Sequence, residues 1–356
     1  MRYFLFFLSL IFAIHCSSSK IQLKGEMHIV ETEDNWKISL EHFAPLPGTK
    51  ERSYPIIICH GLIGTRDYFK QNEEESLVYQ LQNQGYDVWL IELRGRETVG
   101  KPSILFGKNK YADINFDKFI KYDVDRAIGF VLQKTGKEKV NWLGHSMGGM
   151  VIYARAGSLG ETRIANLVTI GSPFSFPYPP GKLKLMTKFN FGLSVLPNLP
   201  AASVSSFESS TGIRILTSDF FLGLFYYQKN LTPDQNHRLL QYGVSNESTE
   251  VFRQFANAVE GTDYRSHDTL TSYTQNLKNF TIPTFLVAGR RDHLGTPSIV
   301  RHVYDSISSS DKTFFMVGRS EGHTEDYGHV DLINGKGIQF DVIPPILKWL
   351  NERNGK

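Results

Sequence analysis

The chain has 356 residues, enough for one large domain or two modest ones. Hydrophobic residues make up 41% and charged residues 21%, the balance of a globular protein that buries a core. A formal net charge of +3, with no long basic block, lacks the electrostatic footprint of a nucleic-acid binder.

Met1 and Arg2 precede an apolar run over 3–14. The run is too short to span a bilayer and has the form of a signal-peptide centre, so 1–19 is expected to be an export signal. An uncleaved anchor is the other reading. Cys16 ends the run and is followed by Ser17, Ser18 and Ser19. That order is similar to a bacterial lipoprotein signal, in which such a cysteine is lipidated, although His15 stands where a small residue is the rule. Ordinary cleavage within the serine run is the alternative. The expected destination is a bacterial cell envelope, as a lipoprotein, or the outside of the cell. The only other cysteine is Cys59, which excludes a disulfide framework and fits a bacterial envelope better than an animal secretory route. Three N-x-S/T sequons, at Asn230, Asn246 and Asn279, predict surface acceptor sites if the source is a eukaryote.

Two strands with a turn at Asp34 and Asn35 are expected within 26–42. Short unbroken apolar runs at 56–59, 88–93, 140–143, 167–170, 284–288 and 314–317 read as buried parallel strands. Helices separate them. One is expected over 68–83, stopped at Gly85, and another carries Ile120, Val124, Ala127, Ile128, Val131 and Leu132 up to Gly136. A third covers 147–156 and a last one 340–351, with Pro344 and Pro345 near its start, where a missing N–H costs least. This alternation predicts an α/β protein with a mostly parallel, doubly wound sheet. After the sixth strand it breaks for about a hundred residues, too many for a bare loop. The segment 174–279 is therefore expected to be a helical cap or lid between two parts of one core, 20–173 and 280–356. Aromatic and aliphatic side chains crowd the first half of the cap, among them Phe176, Tyr178, Leu183, Phe189, Phe191, Phe220, Phe221 and Phe225. They are expected to divide between the cap's own core and a wall for an apolar ligand, with Phe189 and Phe191 in the wall.

Gly144-His145-Ser146-Met147-Gly148 matches G-x-S-x-G between a predicted strand and a predicted helix, the context this motif requires. So sharp a turn strains the serine backbone, and side chains at 144 or 148 would collide across it. Ser146 is the candidate nucleophile. His60-Gly61-Leu62-Ile63-Gly64 follows the strand at 56–59, and the loop after that strand supplies one oxyanion donor to such an elbow. The backbone N–H groups of Leu62 and Met147 are the candidate pair. His60 reads as a buried residue that holds this loop together with Gly61, not as a proton carrier. The acid is expected just after the strand at 284–288, which selects Asp292. The base belongs between the last strand and the last helix, where His323 and His329 both stand. His329 is favoured, and the chain order Ser146, Asp292, His329 is the one this elbow uses. Asp331 is either a surrogate acid or, preferably, a brace for the histidine loop. Such a set works through an acyl-enzyme and calls for no metal or cofactor.

Residues 55–149 resemble the acid lipase family of gastric and lysosomal type. The likeness rests on 60–64, on Gly85-Tyr86-Asp87-Val88-Trp89-Leu90, on Arg94-Gly95, on Lys121-Tyr122-Asp123, on Lys134-Thr135-Gly136 and on Gly144-His145-Ser146. His329-Val330-Asp331-Leu332 resembles the family's histidine loop and supports His329 over His323. The resemblance implies an α/β-hydrolase fold and ester hydrolysis on lipid-like substrates. Met147 and Gly149 depart from the family, and a Met-Gly-Gly elbow is similar to bacterial α/β hydrolases and lysophospholipase-like esterases. The cap has no readable counterpart. The expectation is a serine hydrolase of carboxylic esters with apolar acyl groups, meeting a membrane surface through a lipid anchor or the cap. The same triad serves an acyltransferase or thioesterase, and a catalytically silent envelope binding protein is a third reading. A complete Ser/Asp/His set argues against silence.

Overall fold

The computed structural model describes residues 23–354 apart from 72, 101, 104–108, 189–195 and 214–223. The expected export signal with Cys16, and Phe189, Phe191, Phe220 and Phe221, lie outside the described residues.

Eight strands form one sheet: β1 (Glu26–Glu31), β2 (Lys37–Phe43), β3 (Ile56–Cys59), β4 (Val88–Glu92), β5 (Val140–His145), β6 (Ile164–Ile170), β7 (Thr284–Gly289) and β8 (Lys312–Val317). Their spatial order is β1-β2-β4-β3-β5-β6-β7-β8. β2 runs antiparallel to both β1 and β4, and every other neighbouring pair is parallel. Central strands such as β3 and β5 are buried along their whole length, which is why they read as unbroken apolar runs. Successive side chains serve opposite faces. Ile57 and Cys59 join one core with Trp89, Trp142 and Met150, while Ile56 and Ile58 join the other with Leu90, Val287 and Trp349.

The longer helices outside the segment expected as a cap are α1 (Leu77–Asn83), α2 (Val124–Thr135), α3 (Met147–Leu159), and, after that segment's α4 to α7, α8 (Pro297–Ser306) and α9 (Ile343–Asn354). The helix expected over 68–83 does not form as one piece. It breaks into single turns at Arg66–Lys70 and Glu73–Glu75 before α1. Glu73 sits at φ 47, three adjacent glutamates repel one another, and Ser76 Oγ starts a new helix by accepting from Tyr79 N at 3.2 Å. A further helix, α8, stands between the last two strands, where the sequence pattern gave no expectation of one. It opens on Thr296 and Pro297 and buries Ile299, Val300 and Val303. Buried Arg94 explains two of the family-like motifs at once. Its guanidinium bridges Asp123 (2.7 Å) and Asp34 (2.6 Å), joining the end of β4 to the turn of the first hairpin.

The segment expected to form the cap, and called so below, lies between β6 and β7 and holds α4 (Gly181–Lys188), α5 (Ala201–Thr211), α6 (Pro233–Tyr242) and α7 (Thr249–Gly261). A two-stranded ladder, Asn198–Leu199 with Glu247–Ser248, ties α5 to α7. Phe174 and Phe176 are buried in the core, the first stacked on Tyr264 and the second edge-on to Phe255. Two of the three sequons are not surface sites. Asn230 is buried with its Nδ2 on Asp331 Oδ2 (2.9 Å), and Asn246 is buried with its Oδ1 on Ala202 N (3.0 Å). Only Asn279 of the three is exposed. Among the described residues no helix is long and apolar enough to cross a membrane.

Candidate active site

Ser146 stands between β5 and α3 at φ 52 and ψ −120, a strained backbone held by its surroundings. Its N–H donates to Ile170 O on β6 at 2.9 Å. The two flanking glycines are required for different reasons. A Cβ on Gly144 would lie 2.2 Å from the Gly148 and Gly149 backbone, across the turn. A Cβ on Gly148 would instead lie 2.2 Å from Cys59 O, on the neighbouring strand, so that glycine admits β3 rather than the turn.

His329 and Asp292 meet at the ends of β6 and β7. His329 Nδ1 is 2.8 Å from Asp292 Oδ2, and both residues are buried. The other carboxylate oxygen of Asp292 accepts from Leu294 N and Gly295 N, each at 2.8 Å, which fixes its plane. With Nδ1–H donated to the acid, Nε2 of His329 is the free basic atom. A Cβ on Gly171 would lie 2.9 Å from Asp292 Oδ2 and 3.2 Å from His329 Nδ1, so the pair needs a glycine beside it. His323 stays outside this group. Its Nδ1 lies 3.1 Å from Gly318 O and its ring packs edge-on to Phe315.

Asp331 holds the chain around His329 rather than its ring, accepting from Gly328 N, Tyr227 N and Asn230 Nδ2, each at 2.9 Å. Burial pushes its carboxyl up to about 6. His60 is fully buried, donates from Nδ1 to Gly61 O at 2.9 Å and accepts from Leu93 N at 3.3 Å. Burial, with Arg96 adding to it, holds this imidazole neutral, far below its ordinary range. The Gly61 carbonyl also receives Gly64 N at 3.1 Å. That carbonyl and the Leu62 N–H belong to one planar peptide, so fixing one end aims the other. The Met147 N–H opens α3, where a helix leaves its first donors without an internal acceptor.

Three further residues of the site carry no signal in the sequence. Arg96 is buried beneath this loop and donates to Gly64 O (3.2 Å), Asn246 O (3.3 Å) and Glu247 Oε2 (2.7 Å), tying the loop to the cap. Tyr68 and His145 are the others. Nothing in their spacing marks them except that His145 fills the variable position beside the serine.

Above Ser146, His329, Leu62 and Met147 opens a cavity of about 310 Å³. Its walls are almost wholly apolar, with Leu199, Val204, Phe225, Leu239, Val251 and Phe252 among them. Of the aromatic and aliphatic residues that crowd the start of the cap, Phe225 is in the wall, whereas Phe176 and Leu183 are buried in the core and Tyr178 is exposed. Three helices of the cap reach the wall, α5 through Val204, α6 through Leu239 and Leu240, and α7 through Val251, Phe252 and Phe255.

A family model described as alpha/beta hydrolase fold matches residues 54–336. The chain is 26% identical over 324 residues to lipase member N of Homo sapiens, covering 80% of this chain and 79% of that protein. It is 24% identical over 286 residues to gastric triacylglycerol lipase of Rattus norvegicus, covering 71% of each. A poly(3-hydroxyalkanoate) polymerase subunit of Allochromatium vinosum is 25% identical over 318 residues, covering 84% of this chain and 81% of that protein. Among solved structures, a monoacylglycerol lipase of Paleococcus ferrophilus superposes with a TM-score of 0.57 at 16% identity, over 89% of this chain and 99% of that one.

Proposed function

The chain belongs to the α/β hydrolase fold family, and on that premise we propose that it hydrolyses carboxylic esters of apolar acyl groups through Ser146, His329 and Asp292. The observation that carries this reading is the strained serine lining an apolar cavity, with a histidine in the same wall paired to a buried carboxylate behind it. The gastric lipase and monoacylglycerol lipase among its relatives support a lipid-like ester.

In this mechanism His329 Nε2 takes the Ser146 proton as Oγ attacks the acyl carbon. Asp292 holds the imidazole in the Nδ1–H form and stabilises its cation. The Leu62 and Met147 N–H groups receive the oxyanion, and losing one such donor costs about 3 kcal/mol. His329 then protonates the leaving alcohol, and water repeats the cycle on the acyl-enzyme. His60 aims the Leu62 peptide and Asp331 braces the loop of His329. Residues 174–279 serve as the cap that walls the acyl chain.

A fluorophosphonate probe should label the wild type and not Ser146→Ala. On p-nitrophenyl esters of graded length, kcat/KM should rise about fourfold per methylene until the cavity fills, since each buried methylene contributes about 0.8 kcal/mol. Preference for acetate, or turnover of peptide amides alone, overturns the ester reading. Acyl transfer is kept as a second reading because one relative is a polymerase by name. Ester rather than acid as the product in the presence of an alcohol acceptor would select it. Export through 1–19, with or without lipid on Cys16, is tested by mass spectrometry of the mature N-terminus.

A further inference from the structure

We propose that Tyr68 and His145 are positioning residues, forming a hydrogen-bond wire that holds the loop of the Leu62 donor in register with the loop of the His329 base. The proposal rests on the Ser146 reading above.

The wire has three links. Gly61 N–H donates to Tyr68 Oη at 2.5 Å. Tyr68 Oη lies 2.9 Å from His145 Nδ1, and His145 Nε2 lies 3.1 Å from the His329 carbonyl oxygen. Each link is buried. The chemistry of the two ends fixes the direction of every proton. A backbone N–H only donates, so the phenol oxygen accepts from Gly61. A carbonyl only accepts, so His145 carries its hydrogen on Nε2. His145 Nδ1 is then a bare acceptor, and the Tyr68 hydroxyl supplies the one hydrogen it needs. No link can be reversed without leaving a buried group unpaired.

Burial drives the His145 imidazole to its neutral form, and the nearby His329 acts in the same direction. A neutral ring is what this pattern requires. The ring is also sterically placed, edge-on to Tyr68 and 4.7 Å from the His329 ring between centroids. At the other end, Gly61 is held on both sides. Its N–H goes to Tyr68, while its carbonyl goes to His60 and to Gly64 N. The peptide between Gly61 and Leu62 therefore cannot turn, and a Cβ on Gly61 would touch the Ser146 Cβ at 3.0 Å. The wire thus joins, through the residue before the nucleophile, the group that stabilises the oxyanion and the group that moves the proton. Neither Tyr68 nor His145 has to touch a reacting atom for the wire to matter, because misplacing either loop weakens interactions made in the transition state.

The test uses the whole chain with Tyr68→Phe, His145→Leu and the double variant. Deleting an oxyanion donor costs about a hundredfold or more in kcat, so loosening one should cost about ten- to a hundredfold. Each single variant should lose that much kcat with KM within about threefold, equally on short and long esters. The double variant should fall no further than the worse single one, because the residues act as a unit. Affinity for an alkyl boronic acid, whose tetrahedral adduct fills the oxyanion site, should fall by the same factor. Thermal melts identify any variant that has simply unfolded, and Tyr68→Phe is nearly isosteric. Wild-type kcat in Tyr68→Phe, additive losses in the double variant, or a rise in KM in place of the kcat loss each overturn the wire. Retained labelling in Ser146→Ala overturns the nucleophile instead. Normal Ser146 labelling with an indifferent Tyr68→Phe overturns only the wire.

Discussion

The two halves of the candidate site are held in different ways. Ser146 is fixed by its neighbours in sequence, through a turn that only Gly144 permits and a helix that begins one residue later. His329 is fixed from afar. Its loop is pinned by Tyr227 N on Asp331, 104 positions earlier, and by Val330 N on Phe225 O (2.8 Å) in the middle of the cap. The geometry at Ser146 is therefore set within the core, by the elbow and by its bond to Ile170 O on β6, whereas the geometry at His329 exists only once cap and core have met. Insults to the cap should spare the first and damage the second.

The largest effect should come from the base. His329→Ala is expected to cut kcat by about four orders of magnitude, the usual scale for a lost triad member, with probe binding at the elbow geometrically intact. His323→Ala should stay within a few-fold on the same ester assay. The opposite ranking would reassign the base. A steric test of the serine side follows. Gly148→Ala puts a Cβ into Cys59 O and should destabilise the fold by about 3 kcal/mol or more in urea melts. A midpoint equal to wild type would show that the elbow is not closed against β3.

On the base side the matching test is electrostatic. Burial raises the Asp331 carboxyl from 3.8 to about 6, so the native state holds that proton more tightly than the unfolded chain does. The stability this group contributes is complete below about pH 4 and is lost as pH rises through about 6, by about 3 kcal/mol. Wild type measured between these limits should show that fall, and Asp331→Asn should flatten it. Identical slopes would remove the buried acid from the account. The smallest effect serves as a control. A methyl group added at Gly129 in α2 would have nothing within 4 Å, so Gly129→Ala should stabilise by about 1 kcal/mol and leave both halves of the site alone. Destabilisation measured in the same urea melts would show that this face of α2 is less open than it looks.

The same contrast explains what could be read from sequence. All eight strands, the elbow, Asp292 and His329 follow from local signals: unbroken apolar runs, a glycine-flanked serine, and chain order along the sheet. The break of the helix expected over 68–83 turns on the left-handed Glu73, and α8 starts on no more than a cap of Thr296 and Pro297. Tyr68, His145 and Arg96 are invisible for another reason. Each acts through a partner distant in sequence, and no spacing announces a bond such as the one between Tyr68 and His145, 77 positions apart. Likewise, among the described residues, the cavity wall takes Phe225 from the aromatic-rich half of the cap and otherwise draws on α5, α6 and α7, while Phe174 and Phe176 are used in joining cap to core.

The ion pair between Arg96 and Glu247 sets a limit on motion. Any excursion that lifts Glu247 off Arg96 strands a charge in a dry interior, at a cost of about 3–5 kcal/mol. At equilibrium fewer than about one molecule in a hundred is found that way. The Glu247 corner of the cap is thus a clasp that stands closed in nearly every molecule at any instant, holding the cap to the loop that carries Leu62.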